Sequence, residues 1–146
     1  MPPRLGGLKV LTVAVRKAFS SDLLDAAATT DSVVLWTQPA GSVMLGVKMI
    51  LSAAFVATGL TTATITIGDG SDNDGILIAG TMNLRTDTLG TNYSSRGAYW
   101  DSSAEGAFWY ANSATDWTGY TTLGVANCSA LTQGMVTFIF TYATIV

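Results

Sequence analysis

The chain has 146 residues, which suits one compact domain with a real core and leaves little room for a second. Only 12% of residues are charged and 49% are hydrophobic, so the surface lacks a dense coat of charge and fits a membrane or a crowded assembly. A net charge of −3 without clustered basic residues gives no nucleic-acid footprint, and the absence of histidine removes the usual general base, the serine and cysteine triads and most transition-metal sites.

In chain order, residues 1–8 hold Pro2, Pro3, Gly6 and Gly7 and read as an extended arm ahead of a domain over 9–146. No apolar stretch of a secretory signal follows Met1, and Cys128 is the one thiol, so synthesis and folding in a cytoplasm are expected. Lys9 to Phe19 follows as a strand with Leu11, Val13 and Val15 on one face. Its basic residues Lys9, Arg16 and Lys17 read as a solvated or interface strand edge. Ser20 to Ala28 has local helical character but is too short for more than a turn. Ser32–Thr37 is a short strand, and Pro39-Ala40-Gly41 turns into a longer one.

That longer strand, Val43 to Phe55, is the clearest feature of the sequence. Its odd positions are all apolar, while the even ones include Gly46, Lys48 and Ser52. Period two marks a strand with one buried face, and it argues against a bilayer-spanning helix over Val43 to Leu60. Thr62 to Ile67 alternates again, Asp69 to Gly75 is a polar turn, and Ile76 to Ala79 resumes an apolar run. Residues 80–105 read as a long polar loop with short strands. Ala107–Ala111 and Trp117–Val125 are aromatic strands, and Gly134 to Tyr142 is a closing strand. Short strands with turns near every ten residues predict an all-β protein, a sandwich or barrel.

Few groups offer chemistry. Cys128 lacks a histidine partner, which leaves it a small buried thiol. Asp101 and Glu105 flank a short segment near Trp100 and Trp109, an arrangement glycoside hydrolysis uses, but solvated loop acids explain them as well. No catalytic residue and no cofactor is expected. Asp69, Asp72 and Asp74 form a weak calcium candidate, because closely spaced oxygens can collect a hard cation. Counted as an EF-hand loop, the sixth and twelfth places hold Asp74 and Gly80 where glycine and glutamate are needed, and turn chemistry explains the run without an ion. Tyr99, Trp100, Phe108, Trp109, Tyr110, Trp117 and Tyr120 crowd one stretch. Such rings fill a core, meet a neighbouring subunit or stack on a sugar.

Between Pro39 and Gly75, Pro-Ala-Gly-Ser-Val, the alternating strand with Val47 and Lys48, Ala-Ala-Phe55 and the Gly-Asp turn form an order that resembles small virion proteins of tailed bacteriophages. The closing Gly134-Met-Val-Thr-Phe-Ile-Phe-Thr-Tyr142 is similar to the last strand of such proteins. The resemblance covers about a third of the chain and does not extend through residues 80–130. It implies a jelly-roll-like antiparallel β-sandwich, a single domain behind its N-terminal arm. It also implies a capsid cement or decoration protein, a homotrimer on the outer head surface that bridges capsomers of the major capsid protein. With that reading come capsid docking through Pro2, Pro3, Arg4, Leu5 and Lys9, subunit or partner contacts through Trp100, Trp109, Trp117 and Tyr120, and no nucleic-acid or membrane partner. The alternative is a tail- or fibre-associated module that binds a host glycan through residues 99–120.

Overall fold

The computed structural model describes residues 7–100 and 109–145. Among the described residues eight strands run in chain order: β1 (Leu8–Ala18), β2 (Thr30–Gln38), β3 (Ser42–Ala57), β4 (Ala63–Gly68), β5 (Asn92–Tyr93), β6 (Trp109–Tyr110), β7 (Thr115–Leu123) and β8 (Leu131–Ile145). Two single 3₁₀ turns, Ala98–Trp100 and Cys128–Ala130, are the helical elements among the described residues.

The pairing is nested. β1 pairs antiparallel with β8, β2 with β7 and β3 with β6, while β4 meets Leu77 through an isolated bridge at Ile67. A long hairpin rolled on itself gives this first-with-last order, and the result is a jelly-roll-like sandwich. The larger sheet runs β1-β8-β3-β5 with β6 also against β3, and the smaller runs β2-β7-β4.

Alternation builds the core between the sheets. On β8, Val136, Phe138 and Phe140 are fully buried, while Thr137 and Ile139 between them face outward at half exposure. Phe19 packs its ring 5.3 Å from Phe55 and 6.3 Å from Phe138. From the smaller sheet, Ile65, Ile67 and Trp117 close the other side. The Ser20 to Ala28 stretch is a turn, with the Leu23 and Leu24 amides donating to the Ser20 carbonyl and Leu24 buried as a plug.

β3 carries the expected alternation with its phase broken. Four register shifts, the first between Met44 and Gly46 and the rest between Leu51 and Ala57, interrupt its ladder to β8, so the buried phase changes along the strand. Met44 is therefore buried, while Val43 and Leu45, on the predicted buried face, are only half-buried. β2 bulges between Val34 and Trp36, which turns Leu35 and Trp36 both inward. Ile76 to Ala79 forms no strand of its own. The Ile76 and Leu77 amides converge on the Ile67 carbonyl, and Leu77 bridges on to Arg96. No helix among the described residues is long and apolar enough to cross a membrane.

Candidate functional site

The aromatic stretch and the acidic turn, separate candidates in sequence, meet in space. Asp69 Oδ1 accepts the Ser71 and Asp72 amides and also the Tyr99 hydroxyl at 2.8 Å, while the Tyr120 hydroxyl donates to the Asp69 carbonyl at 2.9 Å. The Trp100 indole N–H donates to the Ile76 carbonyl at 2.7 Å, and the Arg96 guanidinium lies 5.3 Å from its ring centroid. Trp117 donates its indole N–H to Gln38 Oε1 at 2.9 Å, and Gln38 Nε2 donates in turn to the Ser42 carbonyl at 3.1 Å. Tyr99 meets the Trp117 ring edge to face at 6.4 Å. These aromatics tie the loop between β4 and β5 to the smaller sheet.

That arrangement corrects several expectations. Trp100 and Trp117 are 7% and 0% exposed, so neither offers a ring to a subunit, a sugar or any other partner. Tyr120 is half-buried with its hydroxyl committed to the turn. The side chain of Trp109 lies outside the described residues; its backbone pairs with Met44. Tyr110 beside it is half exposed, the one large exposed aromatic among the described residues. Glycan stacking through residues 99–120 thus loses most of the rings it needs.

Calcium fares no better. No group of three or more candidate ligand residues comes together among the described residues. Asp69 spends its Oδ1 on the turn, and Asp72 Oδ1 accepts the Asp74 amide. A hydrogen bond with Asp72, then burial and the Asp72 charge, holds the Asp74 carboxyl above its ordinary value. Pro2, Pro3, Arg4 and Leu5, together with Asp101 and Glu105, lie outside the described residues. Lys9 is exposed on β1.

Two further hollows open to the surface among the described residues. One, of about 480 Å³, is lined by Thr81, Thr88, Thr91 and Ser95 around a Tyr93–Asp87 pair whose hydroxyl-to-carboxylate distance is 2.7 Å. Burial, then that carboxylate, pushes the Tyr93 phenol well above its usual range. The pair is already satisfied, since Asp87 also accepts the Asn83 amide. Cys128 is buried, and desolvation, helped by Asp31, pushes its thiol up and away from a reactive thiolate.

The larger sheet is the feature that sequence reasoning missed. Its five strands carry Lys9, Arg16, Lys17 and Lys48 and no acidic residue at all. Among the described residues the acids fall on β2 (Asp31), β7 (Asp116) and the connections. Its outward face sets Thr12, Ala14 and Arg16 on β1 beside Thr137, Ile139 and Thr141 on β8 and Lys48 and Ile50 on β3. The signal was present in the sequence, but it emerges only once register shows which strands share a sheet.

No family model matches this chain, and no curated protein matches it. Among solved structures, it is similar to a chain of the cyanophage Pam1 capsid asymmetric unit, with a TM-score of 0.62 and 17% identity over 99% of this chain and 91% of that one. It is also similar to a chain in the acidic stable capsid structure of Helicobacter pylori bacteriophage KHP30, with a TM-score of 0.48 and 13% identity over 94% and 93% of the two chains. The Pam1 likeness is one of fold. It runs through residues 80–130, where the sequence resembles nothing recognisable.

Proposed function

We propose that this chain is a structural protein of a bacteriophage virion, and within it a cement or decoration protein that stabilises the head by bridging capsomers as a homotrimer. The observation that carries the reading is the Pam1 likeness, in which nearly the whole of both chains matches, so the two are of comparable size as well as fold. A chain that spans most of a capsid chain without a large insertion offers its faces and edges for contact, and not a pocket. The larger sheet fits this use, because its outward face sets threonine, alanine and isoleucine around the cations Arg16 and Lys48, a surface that suits a neighbour bearing carboxylates. Pro2 to Lys9 would dock on the shell, since an extended arm can wrap a large partner surface that offsets the entropy of ordering it. The trimer and the position on the outer head surface belong to the same reading.

The test is direct. Purified protein is added to heads that lack it, its copies are located by electron cryo-microscopy, and its free mass is measured by light scattering. Trimers seated between capsomers are the expected result. A monomer that leaves such heads bare overturns the reading.

A further inference from the structure

β1 is an edge strand of unusual regularity. Its ladder to β8 runs from Leu8–Ile145 to Ala18–Met135 without a register shift, whereas β2 and β3 both bulge. Nothing pairs with its other side among the described residues. None of its residues is fully buried, and Leu8 and Val10 are 69% and 56% exposed. Every second residue therefore turns its N–H and C=O outward, about five donor and acceptor pairs in a row. A long, straight, apolar edge is a template for another strand.

Charge says which strand. Lys9 and Lys17 stand at the two ends of β1 on the same side of the sheet, about 26 Å apart at strand spacing. Arg16 adds a third cation, and the sheet supplies no acid to offset them. A second copy of β1, paired antiparallel about Val13, would set Lys9 opposite Lys17 at both ends. Directly opposed like charges destabilise a strand pair. The first residues of another copy fit no better, because Pro2 and Pro3 have no N–H to give and Arg4 repeats the charge. Both self-pairings are disfavoured.

We infer that the free edge of β1 accepts an extended segment of a different protein, one with a carboxylate at each end of a stretch of about seven β-forming residues. Main-chain hydrogen bonds supply the grip, and the two lysines select the occupant and fix its register. This deepens the virion reading, in which the segment would come from the shell protein.

The probe is a pair of synthetic nine-residue peptides of alternating valine and threonine, one with aspartate at both ends and one with lysine, each blocked at its termini and carrying a fluorophore. Anisotropy titration of the full chain should show the aspartate peptide bound about tenfold more tightly, with the preference shrinking as salt rises. The double variant K9E/K17E should reverse the preference, and since Lys17 is part-buried while Lys9 is exposed, K9E alone should unfold like the wild type and already narrow the preference severalfold. Equal binding of the two peptides, binding of neither, or a preference that the double variant leaves unchanged overturns the inference. Heads separate this from the reading beneath it. If wild type and K9E/K17E occupy heads equally, the edge inference falls and the virion role stands. If the peptides discriminate but heads stay bare, the virion role falls and the edge inference stands.

Discussion

Gly97 is a position at which a single methyl group should do heavy damage. It lies between Arg96, which bridges to Leu77, and the 3₁₀ turn Ala98–Trp100, and the acidic loop passes directly over it. A Cβ there would stand 2.5 Å from the Gly75 carbonyl carbon and closer still to the Asp74 carbonyl oxygen. Real Cβ contacts stay beyond 3.0 Å, and the atoms in the way are backbone, so no rotamer change relieves the overlap. The loop has to lift. Lifting it strains the Tyr99 amide bond to the Gly75 carbonyl, 2.8 Å, and the Tyr99 hydroxyl bond to Asp69.

Overpacking of this kind costs about 1–3 kcal/mol, and a weakened hydrogen bond about 1 kcal/mol more. The smaller entropy of an unfolded chain with alanine returns roughly 0.4–1 kcal/mol. Gly97→Ala should therefore lose about 2–3 kcal/mol, a fall in Tm of roughly 5–10 °C for a chain of this size. Gly70→Ala is the control, since a Cβ there meets nothing within 4 Å. It should stay within about 0.5 kcal/mol of the wild type. Urea unfolding followed by tryptophan fluorescence measures both. If the two variants unfold at the same midpoint, the contact between the acidic loop and Gly97 is refuted.

Tyr93→Phe removes the hydroxyl that Asp87 accepts in a half-buried site, and urea unfolding should register a loss of about 1–2 kcal/mol. Burial, then carboxylates at Asp87 and Asp69, raises the Tyr93 and Tyr99 phenols above their ordinary value of 10.0. The folded state holds those protons more tightly than the unfolded state, so Tm should be unaffected by these groups below about pH 10 and fall as pH rises past it. Absorbance titration should show two of the five tyrosines ionising only as the chain unfolds, and five free titrations would contradict the assignment. Because Asp69 Oδ1 is committed to two amides and Tyr99, and Asp72 Oδ1 to the Asp74 amide, saturating calcium or EDTA should leave Tm unchanged in a thermal melt. A calcium-dependent rise would reopen the metal site.

Strands whose alternation survives without interruption were legible in sequence. β8 is the plain case, since Val136, Phe138 and Phe140 repeat every second position and all are buried. β1 was legible too, with Leu11, Val13 and Val15 facing the β8 residues Tyr142, Phe140 and Phe138. What failed was phase. An inserted residue leaves no mark on composition, so Met44 looked outward and was found inside, and Trp36 lay outside the aromatic stretch although its ring stacks 5.1 Å from Phe140 and 5.0 Å from Tyr142. The candidate site failed for a related reason. The sequence leaves Trp100 and Trp117 open to core, subunit contact or sugar stacking, and hydrogen-bond partners distant in sequence, Ile76 and Gln38, are what allow their indole N–H groups to be buried.

The segregation of charge has a physical consequence that ties the edge of β1 to the fold. Before any partner arrives, Leu8 and Val10 sit exposed on an unpaired edge, the arrangement that drives strand-to-strand aggregation. Nesting makes the exposure unavoidable, because the strand that pairs with the last must lie outermost in the larger sheet. Lys9 and Lys17 answer it, since cations at both ends of an apolar strand repel a second copy while leaving the edge open to an anionic segment. Neutralising them should therefore have two effects at once. K9A/K17A should self-associate at concentrations where the wild type does not, and it should also lose its preference for the aspartate peptide. Sedimentation velocity reads the first and anisotropy the second. A variant that lost the preference yet sedimented like the wild type would show that the lysines choose a partner without guarding the edge.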